Sequence, residues 1–127
     1  MRNNTPLESA EQVALFRWAA YASGTHPELK NLYHVPNGGT RDRREAHNLR
    51  LQGVKSGVPD ICLDWPGSGY HGLRIELKRT KGGRLSDDQK DWLERLNRAG
   101  YRAVVCYGWD EARREIEEYL GGHFDDG

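Results

Sequence analysis

Hydrophobic and polar positions follow two different periods along this chain, and the local period predicts each element. A helical spacing that includes Leu15 predicts a first helix, which begins at a capping box over 5–8 or 9–12 and ends near 23–24. Glu11 stands four positions before Leu15, one turn back along the same stripe. The pattern therefore predicts that the Glu11 carboxylate points along the buried face of this helix.

Strands and helices are mixed along the rest of the chain. Strands are predicted over 32–35, 60–64, 73–78 and 101–107, and helices over 41–52, 86–100 and 110–120. The expected helix caps are Thr40, Ser86 and Asp110. The strand over 101–107 is hydrophobic enough to be central in its sheet. This order predicts an α/β fold with a mixed central β-sheet flanked by α-helices.

The composition predicts a soluble protein of a reducing cytoplasm. A chain of 127 residues suggests one domain over 1–127, with a frayed end over 121–127. Cys62 and Cys106 fall in apolar runs, so both are predicted to be buried thiols. No window approaches the roughly 20 apolar residues of a membrane span, and no membrane partner is expected.

Charge is distributed unevenly although the net charge is zero. Residues 30–84 contain eleven Lys and Arg against five Asp and Glu, whereas residues 110–127 contain two against seven. The basic middle could face a polyanion. Two solvated faces of opposite sign explain the charges equally well.

Three charges share one predicted face of a strand. Alternation over 73–78 places Arg74, Glu76 and Lys78 on the same side. Asp60 begins the neighbouring strand, close enough across a hairpin to meet Glu76, and two such carboxylates repel unless a cation lies between them. Mg²⁺ or Mn²⁺, which prefer oxygen ligands, would remove this repulsion. The alternative is an ordinary exposed Glu-Lys pair on a surface hairpin.

Lys78 extends this candidate site toward phosphate chemistry. An ammonium two residues beyond Glu76 can orient a metal-bound water and stabilise charge that develops on a phosphate. Carboxylates, a divalent ion and an amine together suit phosphodiester hydrolysis.

Several sequence blocks occur in the order of a known nuclease family. They are HVPNGG, KSGVPDI and IELKRTKGGRLSDDQKDWLERLNRAGY, preceded by the helix that carries Glu11. From about Ser9 to Leu120 the chain resembles the virus-type replication-repair nuclease (VRR-NUC) family of the PD-(D/E)XK superfamily, in the compact stand-alone form of phages and prophages. The resemblance implies a restriction-endonuclease-like core over about 9–120.

The resemblance also implies the residues of a metal site. Asp60 and Glu76 would be the metal carboxylates, the Leu77 backbone carbonyl a further ligand, and Lys78 the catalytic lysine. Glu11 matches the extra acidic residue of the family and would be a further catalytic group or ligand. Its alternative role is to stabilise the N-terminus of its own helix.

Gln89 matches a helix glutamine of the family, which would position Lys78, water or a phosphate. Gln89 is also the second half of the Ser86 capping box, and the two roles are compatible. A zinc site is disfavoured, because His34, His47 and His71 have no Cys or His partners at zinc-ligand spacing.

Basic and small residues beside the predicted site are candidates for contacts with the DNA backbone. They are Asn37, Gly38, Arg41, Arg43 and Arg44 after the turn, Lys55 and Ser56 before Asp60, and Arg79, Lys81 and Arg84 beyond the strand. Each arginine is equally compatible with simple solvation.

These observations predict a Mg²⁺- or Mn²⁺-dependent DNA endonuclease in which water on the metal attacks the phosphorus. In the resemblance, stand-alone members are homodimers that act on branched DNA such as four-way (Holliday) junctions. Trp65 and Tyr70 are candidates for the dimer interface, and packing on the core explains them equally well. If the chain is phage-encoded, it would act in the cytoplasm of a bacterial host. The alternatives are a flap or non-selective nuclease of the same fold, a DNA-binding protein with an inactive nuclease fold, and a structural module.

Overall fold

Four helices and four strands follow one another in the predicted order within residues 7–36, 42–122 and 124, the residues that the computed structural model describes. The helices are α1 (Glu8–Ala22), α2 (Arg43–Leu51), α3 (Asp87–Arg98) and α4 (Trp109–Leu120). The strands are β1 (Leu32–His34), β2 (Ile61–Leu63), β3 (Leu73–Lys78) and β4 (Arg102–Tyr107). A 3₁₀ turn over Pro27–Asn31 leads into β1.

The strands form one mixed sheet in the order β1-β2-β3-β4. β1 pairs antiparallel with β2, β2 pairs antiparallel with β3, and β3 runs parallel to β4. Ile61 lies opposite Ile75 in the ladder between β2 and β3. The predicted α/β architecture and the hairpin between β2 and β3 are therefore confirmed.

The prediction that β4 is a central strand is wrong, because β4 lies at one end of the sheet that the described residues form. Its apolar character comes from the helices that cover it. Both α3 and α4 contact β4, and Ala103 and Cys106 are buried. Hydrophobicity thus reports how well the faces of a strand are covered, and not how many strands flank it.

The apolar face of β2 and β3 packs with α1 and α4. The fully buried side chains here are Ile61, Leu63, Leu73, Ile75 and Leu77 of the sheet, Leu15 of α1 and Ile116 of α4. Burying one side chain of this size contributes about 1.5–3 kcal/mol, so these residues determine which face of β3 points inward. Because side chains alternate along a strand, Arg74, Glu76 and Lys78 are directed to the other face.

The starts of α1 and α2 differ from the capping predictions. α1 begins at Glu8, so Ser9 lies inside the helix and does not cap it. The other expected caps, Thr5 of α1 and Thr40 of α2, lie outside the described residues. The side chain of Asp42 caps α2 by accepting a hydrogen bond at 2.7 Å from the backbone N–H three residues later.

The start of α3 agrees with its prediction, whereas the cap of α4 lies two positions before the predicted Asp110. Ser86 Oγ accepts a hydrogen bond from the Gln89 N–H, and Gln89 Oε1 accepts one from the Ser86 N–H, so the capping box is complete. α4 begins at Trp109, which places Asp110 in its first turn. The cap position is taken by Gly108, whose φ of 87° suits glycine.

Phe124, the last residue that the structure describes, packs near α1, and much of the frayed end predicted over 121–127 lies outside the described residues. The Phe124 ring stacks on His26 with ring centroids 3.8 Å apart and also packs near Trp18. This partly buried ring packs against the hydrophobic core.

The two cysteines agree with what the sequence predicts. Cys62 and Cys106 are both free thiols in buried positions. Within the part of the chain that the structure describes, none of the helices has the length and apolar character that a bilayer crossing requires.

Candidate active site

Two carboxylates meet where β2 begins and β3 ends. Since Ile61 lies opposite Ile75, Asp60 comes beside Glu76, one step further along each antiparallel strand. Leu77 lies beyond the last residue pair that joins β2 to β3. Asp60 Oδ1 accepts a hydrogen bond from the Leu77 N–H at 2.9 Å. Both carboxylates are buried. The structure thus brings Asp60 and Glu76 together as the hairpin predicts.

A third carboxylate comes from the first turn of α1. Oxygen atoms of Glu8, Asp60 and Glu76 all lie within 4.8 Å of one another. Oxygens around one Mg²⁺, with bonds of about 2.1 Å, are about 3 to 4.2 Å apart, so small side-chain adjustments would let one ion contact all three. Glu8 is exposed, which leaves this side of the cluster open to solvent.

Glu11 is buried as predicted, but it lies outside this cluster. Its Oε2 accepts a hydrogen bond at 3.2 Å from the N–H of Trp109, at the positive end of α4. The structure therefore does not bring Glu11 to the two carboxylates, and the α1 carboxylate that it places beside them is Glu8. Positions three apart on a helix differ by about 60° around its axis, so the two side chains face different neighbours.

Two further residues hold Asp60, and the sequence analysis did not assign either of them to the site. Gln12 Nε2 donates a hydrogen bond to Asp60 Oδ2 at 3.2 Å, and His34 Nδ1 lies 2.9 Å from the Asp60 backbone oxygen. A signal was available for Gln12, because Glu8 and Gln12 are four positions apart and share one side of α1. His34 is the last residue of β1.

Lys78 lies on the same face of β3 as Glu76, and both side chains are buried. The distance from Lys78 Nζ to Glu76 Oε2 is 3.8 Å. The third charge of this strand serves elsewhere, because Arg74 pairs with Asp64 at 3.0 Å and lies over the Tyr101 ring. Only Glu76 and Lys78 of the three predicted charges therefore belong to the candidate site.

The surroundings of Asp60 and Glu76 disfavour the ionised form of both carboxyl groups. Burial raises the pKa of Asp60, and burial together with the charge of Asp60 raises the pKa of Glu76 to about 8. Lys78 opposes the second shift only in part. A divalent cation would favour both ionised forms, and an all-oxygen donor set suits Mg²⁺ or Mn²⁺. The residues present therefore fit a divalent metal.

The site lies in a cleft of about 720 Å³. One part of its lining is polar and includes the carboxylates, Lys78, Lys55 and Ser56. Ser86 and Gln89 also line the cleft. Gln89 therefore plays the capping role that its sequence position predicts, since its Oε1 accepts from the Ser86 N–H. The same residue also lines the cleft.

The remaining DNA-binding candidates divide by location. Arg43 and Arg44 are exposed in the first turn of α2, Lys81 is exposed after β3, and Arg79 is half-buried. Ser56 is held by Trp92, whose Nε1 donates to its backbone oxygen at 3.0 Å. Asn37, Gly38 and Arg41 lie outside the described residues.

Comparison with known proteins agrees with this geometry. The sequence model of the VRR-NUC domain matches residues 8–110, which include the three carboxylates and Lys78. The chain belongs to the VRR-NUC family. A solved structure described as a VRR_NUC domain protein has 30% sequence identity and a TM-score of 0.77, and the match covers 98% of this chain and 96% of that one. No curated protein sequence matches this chain.

As a VRR-NUC domain, the chain is a nuclease of the PD-(D/E)XK type. Nucleases of this family typically use divalent metals, in agreement with the acidic cluster at the start of β2. Of the two aromatic candidates for an interface, Tyr70 packs against the core beside Tyr119, and Trp65 is partly exposed.

Proposed function

We propose that this VRR-NUC domain is a DNA endonuclease that depends on Mg²⁺ or Mn²⁺. The observation that supports this most directly is the convergence of Glu8, Asp60 and Glu76, with the Lys78 amine beside them. These three carboxylates would hold the ion, and the Leu77 backbone carbonyl is a proposed further ligand. When bound, the ion would polarise a phosphoryl oxygen and lower the pKa of water.

The surrounding side chains would orient the reactants. Lys78, held near Glu76, would direct the attacking water and stabilise negative charge on the phosphate. Gln12 and the Leu77 N–H each donate to one oxygen of Asp60, which fixes the direction of its remaining lone pairs. The amide NH₂ of Gln89, which lines the same cleft, would contact Lys78, water or a phosphate oxygen.

The DNA backbone would enter along the basic side of the cleft. Lys55 and Ser56 line the cleft beside the carboxylates. The exposed basic side chains nearby would supply further phosphate contacts. The proposed set comprises Asn37, Gly38, Arg41, Arg43, Arg44, Lys55, Ser56, Arg79 and Lys81. Arginines at such positions can bind phosphate through two parallel hydrogen bonds.

The proposed substrate is branched DNA, such as a four-way junction, in the cytoplasm of the cell. A homodimer would carry two copies of the cleft, which suits the two-fold symmetry of a junction. The likeness of the chain to compact stand-alone VRR-NUC proteins supports this form.

A side-by-side cleavage assay tests the proposal. Four-way junction, flap, linear duplex and single strand would be incubated with Mg²⁺, Mn²⁺ or EDTA, and sedimentation would measure the oligomeric state. Asp60→Ala should reduce cleavage at least about 100-fold, as expected for a metal ligand. Asp64→Ala is the matched control, because this exposed carboxylate follows β2 at its other end.

Each outcome has a definite meaning. Cleavage of the junction in preference to the other substrates supports the full proposal. Equal cleavage of every substrate would mean that the nuclease is not selective. Preferred cleavage of flaps would identify flaps, and not junctions, as the substrate. Binding without cleavage in either metal would mean an inactive nuclease fold, and unchanged cleavage by Asp60→Ala would refute the site.

A further inference from the structure

The apolar side of α2 is not part of the hydrophobic core. None of the residues of α2 is buried, although its pattern places Ala46 and Leu49 on one side as a packed helix would. These two side chains instead line the cleft, together with Pro36 and Val54. We call these four residues the apolar wall.

The apolar wall lies in the same cleft as the catalytic groups. Its four residues face a volume that the acidic cluster, Lys55 and Lys78 also line. Val54 keeps 43% of its surface exposed. Apolar surface that stays in contact with water inside a concave site is typical of a surface that a ligand covers.

The occupant must combine a phosphate with an apolar surface. A DNA strand does so, because its phosphate would lie at the cations and the adjoining nucleotide would lie beside the wall. In an intact duplex both faces of each base are covered by stacking, so they cannot contact a protein side chain. A base that has left the stack exposes its flat face, which apolar and aromatic side chains bind.

We infer that the apolar wall binds an unstacked nucleotide adjacent to the scissile phosphate. The wall therefore makes the site select DNA that is unpaired or distorted at that nucleotide. This inference rests on the proposed nuclease function, and it assigns substrate preference to Leu49 and Val54 in particular. A branch point supplies such a nucleotide, and so does a mismatch in linear duplex.

Leu49→Asn tests the inference, with Leu51→Asn as the matched control. Both leucines belong to α2, but Leu51 is 73% exposed and does not line the cleft. kcat/KM would be measured on linear duplexes with and without one unpaired nucleotide beside the cleavage position. Wild type should prefer the unpaired substrate, and Leu49→Asn should lower that preference about tenfold, as expected when the base loses its contact with an apolar leucine side chain.

A second variant and a second readout keep the test independent of folding and cleavage. Val54→Thr changes only a loop side chain and should lower the same preference. 2-Aminopurine at the unpaired position should brighten when wild-type protein binds in EDTA, and it should brighten less with Leu49→Asn. This fluorescence readout remains valid even if no substrate is cut. Failure of the nuclease proposal can therefore be distinguished from failure of the inference about the apolar wall.

Three results would overturn the inference. The first is an unchanged substrate preference in both Leu49→Asn and Val54→Thr. The second is an equal loss of preference in Leu51→Asn. The third is a change of oligomeric state in Leu49→Asn, which would show that a second copy of the chain covers the apolar wall.

Discussion

Asp60→Asn should make the metal-free protein more stable while it removes stabilisation by metal. The amide keeps the shape of the carboxylate, since its oxygen can accept from the Leu77 N–H and its NH₂ can donate to the Gln12 amide oxygen. The substitution replaces one of two buried carboxyl groups that lie beside each other with an uncharged group. A residue needed for metal binding would thus be a residue that destabilises the apo fold.

The magnitude follows from the pKa of Glu76. Burial and the charge of Asp60 raise this pKa from 4.5 to about 8. At pH 7 Glu76 stays protonated in the folded protein but is ionised in the unfolded chain. This difference lowers the free energy of unfolding by about 3 kcal/mol. Burial is the larger cause, so the share of Asp60 is about 1 kcal/mol, which corresponds to a shift in Tm of about 4 °C.

The sign sets the pH window of the experiment. Because the pKa of Glu76 is raised in the folded state, this group stabilises the fold fully below pH 4.5, and that stability is lost as the pH rises to about 8. Thermal melts in EDTA at pH 5 to 8 should therefore show a falling Tm for wild type. The fall should be smaller for Asp60→Asn.

Metal and a control variant complete this test. Mn²⁺ should raise the Tm of wild type at pH 8 and leave that of Asp60→Asn unchanged, because a ligand stabilises only the state that binds it. Asp64→Asn, which changes an exposed carboxylate, should retain the response to Mn²⁺. If Asp60→Asn melts below wild type at pH 8 in EDTA, the electrostatic reasoning is refuted.

The other predictions concern single residues of the site. Glu8→Gln should weaken Mn²⁺ binding at least about tenfold in calorimetry with little change in Tm, since Glu8 is exposed. Glu11→Gln should do the reverse and lower Tm while Mn²⁺ binding persists, because Glu11 stabilises the start of α4. Lys78→Met should reduce kcat about 100-fold or more and retain Mn²⁺ binding. Below pH 8 the apparent affinity for Mn²⁺ should fall up to about tenfold per pH unit, because the ion must displace the proton of Glu76.

Opposite results would contradict each of these predictions. If Glu11→Gln weakens Mn²⁺ binding more than Glu8→Gln does, the assignment of the third carboxylate is wrong. If Lys78→Met kept the wild-type kcat, the Lys78 amine would have no part in catalysis. An affinity for Mn²⁺ that stays constant between pH 6 and 8 would show that Glu76 is already ionised.

Local patterns were sufficient for the part of the site that one hairpin builds. Two antiparallel strands joined by a short loop have a register that brings Asp60 beside Glu76, and the alternation of side chains adds Lys78. The Ser86 capping box was equally predictable, because its hydrogen bonds span only three residues. In both cases the partners are close in sequence, so the backbone geometry alone relates them.

Contacts between distant elements could not be obtained in this way. The stripe along α1 indicates that Glu11 is buried, but its partner at the start of α4 is 98 positions away. Whether Glu8 or Glu11 faces the carboxylates depends on a rotation of about 60° around the helix axis, which only packing determines. The edge position of β4 and the exposed apolar side of α2 are also results of packing.

The amino-acid order by itself therefore determined the elements, the hairpin and the pairing of its charges, because these follow from backbone periods and short-range hydrogen bonds. The tertiary structure alone decided which turn of α1 reaches the acidic cluster, which residues hold Asp60, and what the apolar side of α2 faces. These choices depend on the relative orientation of elements that are far apart in sequence, and no local period encodes that orientation.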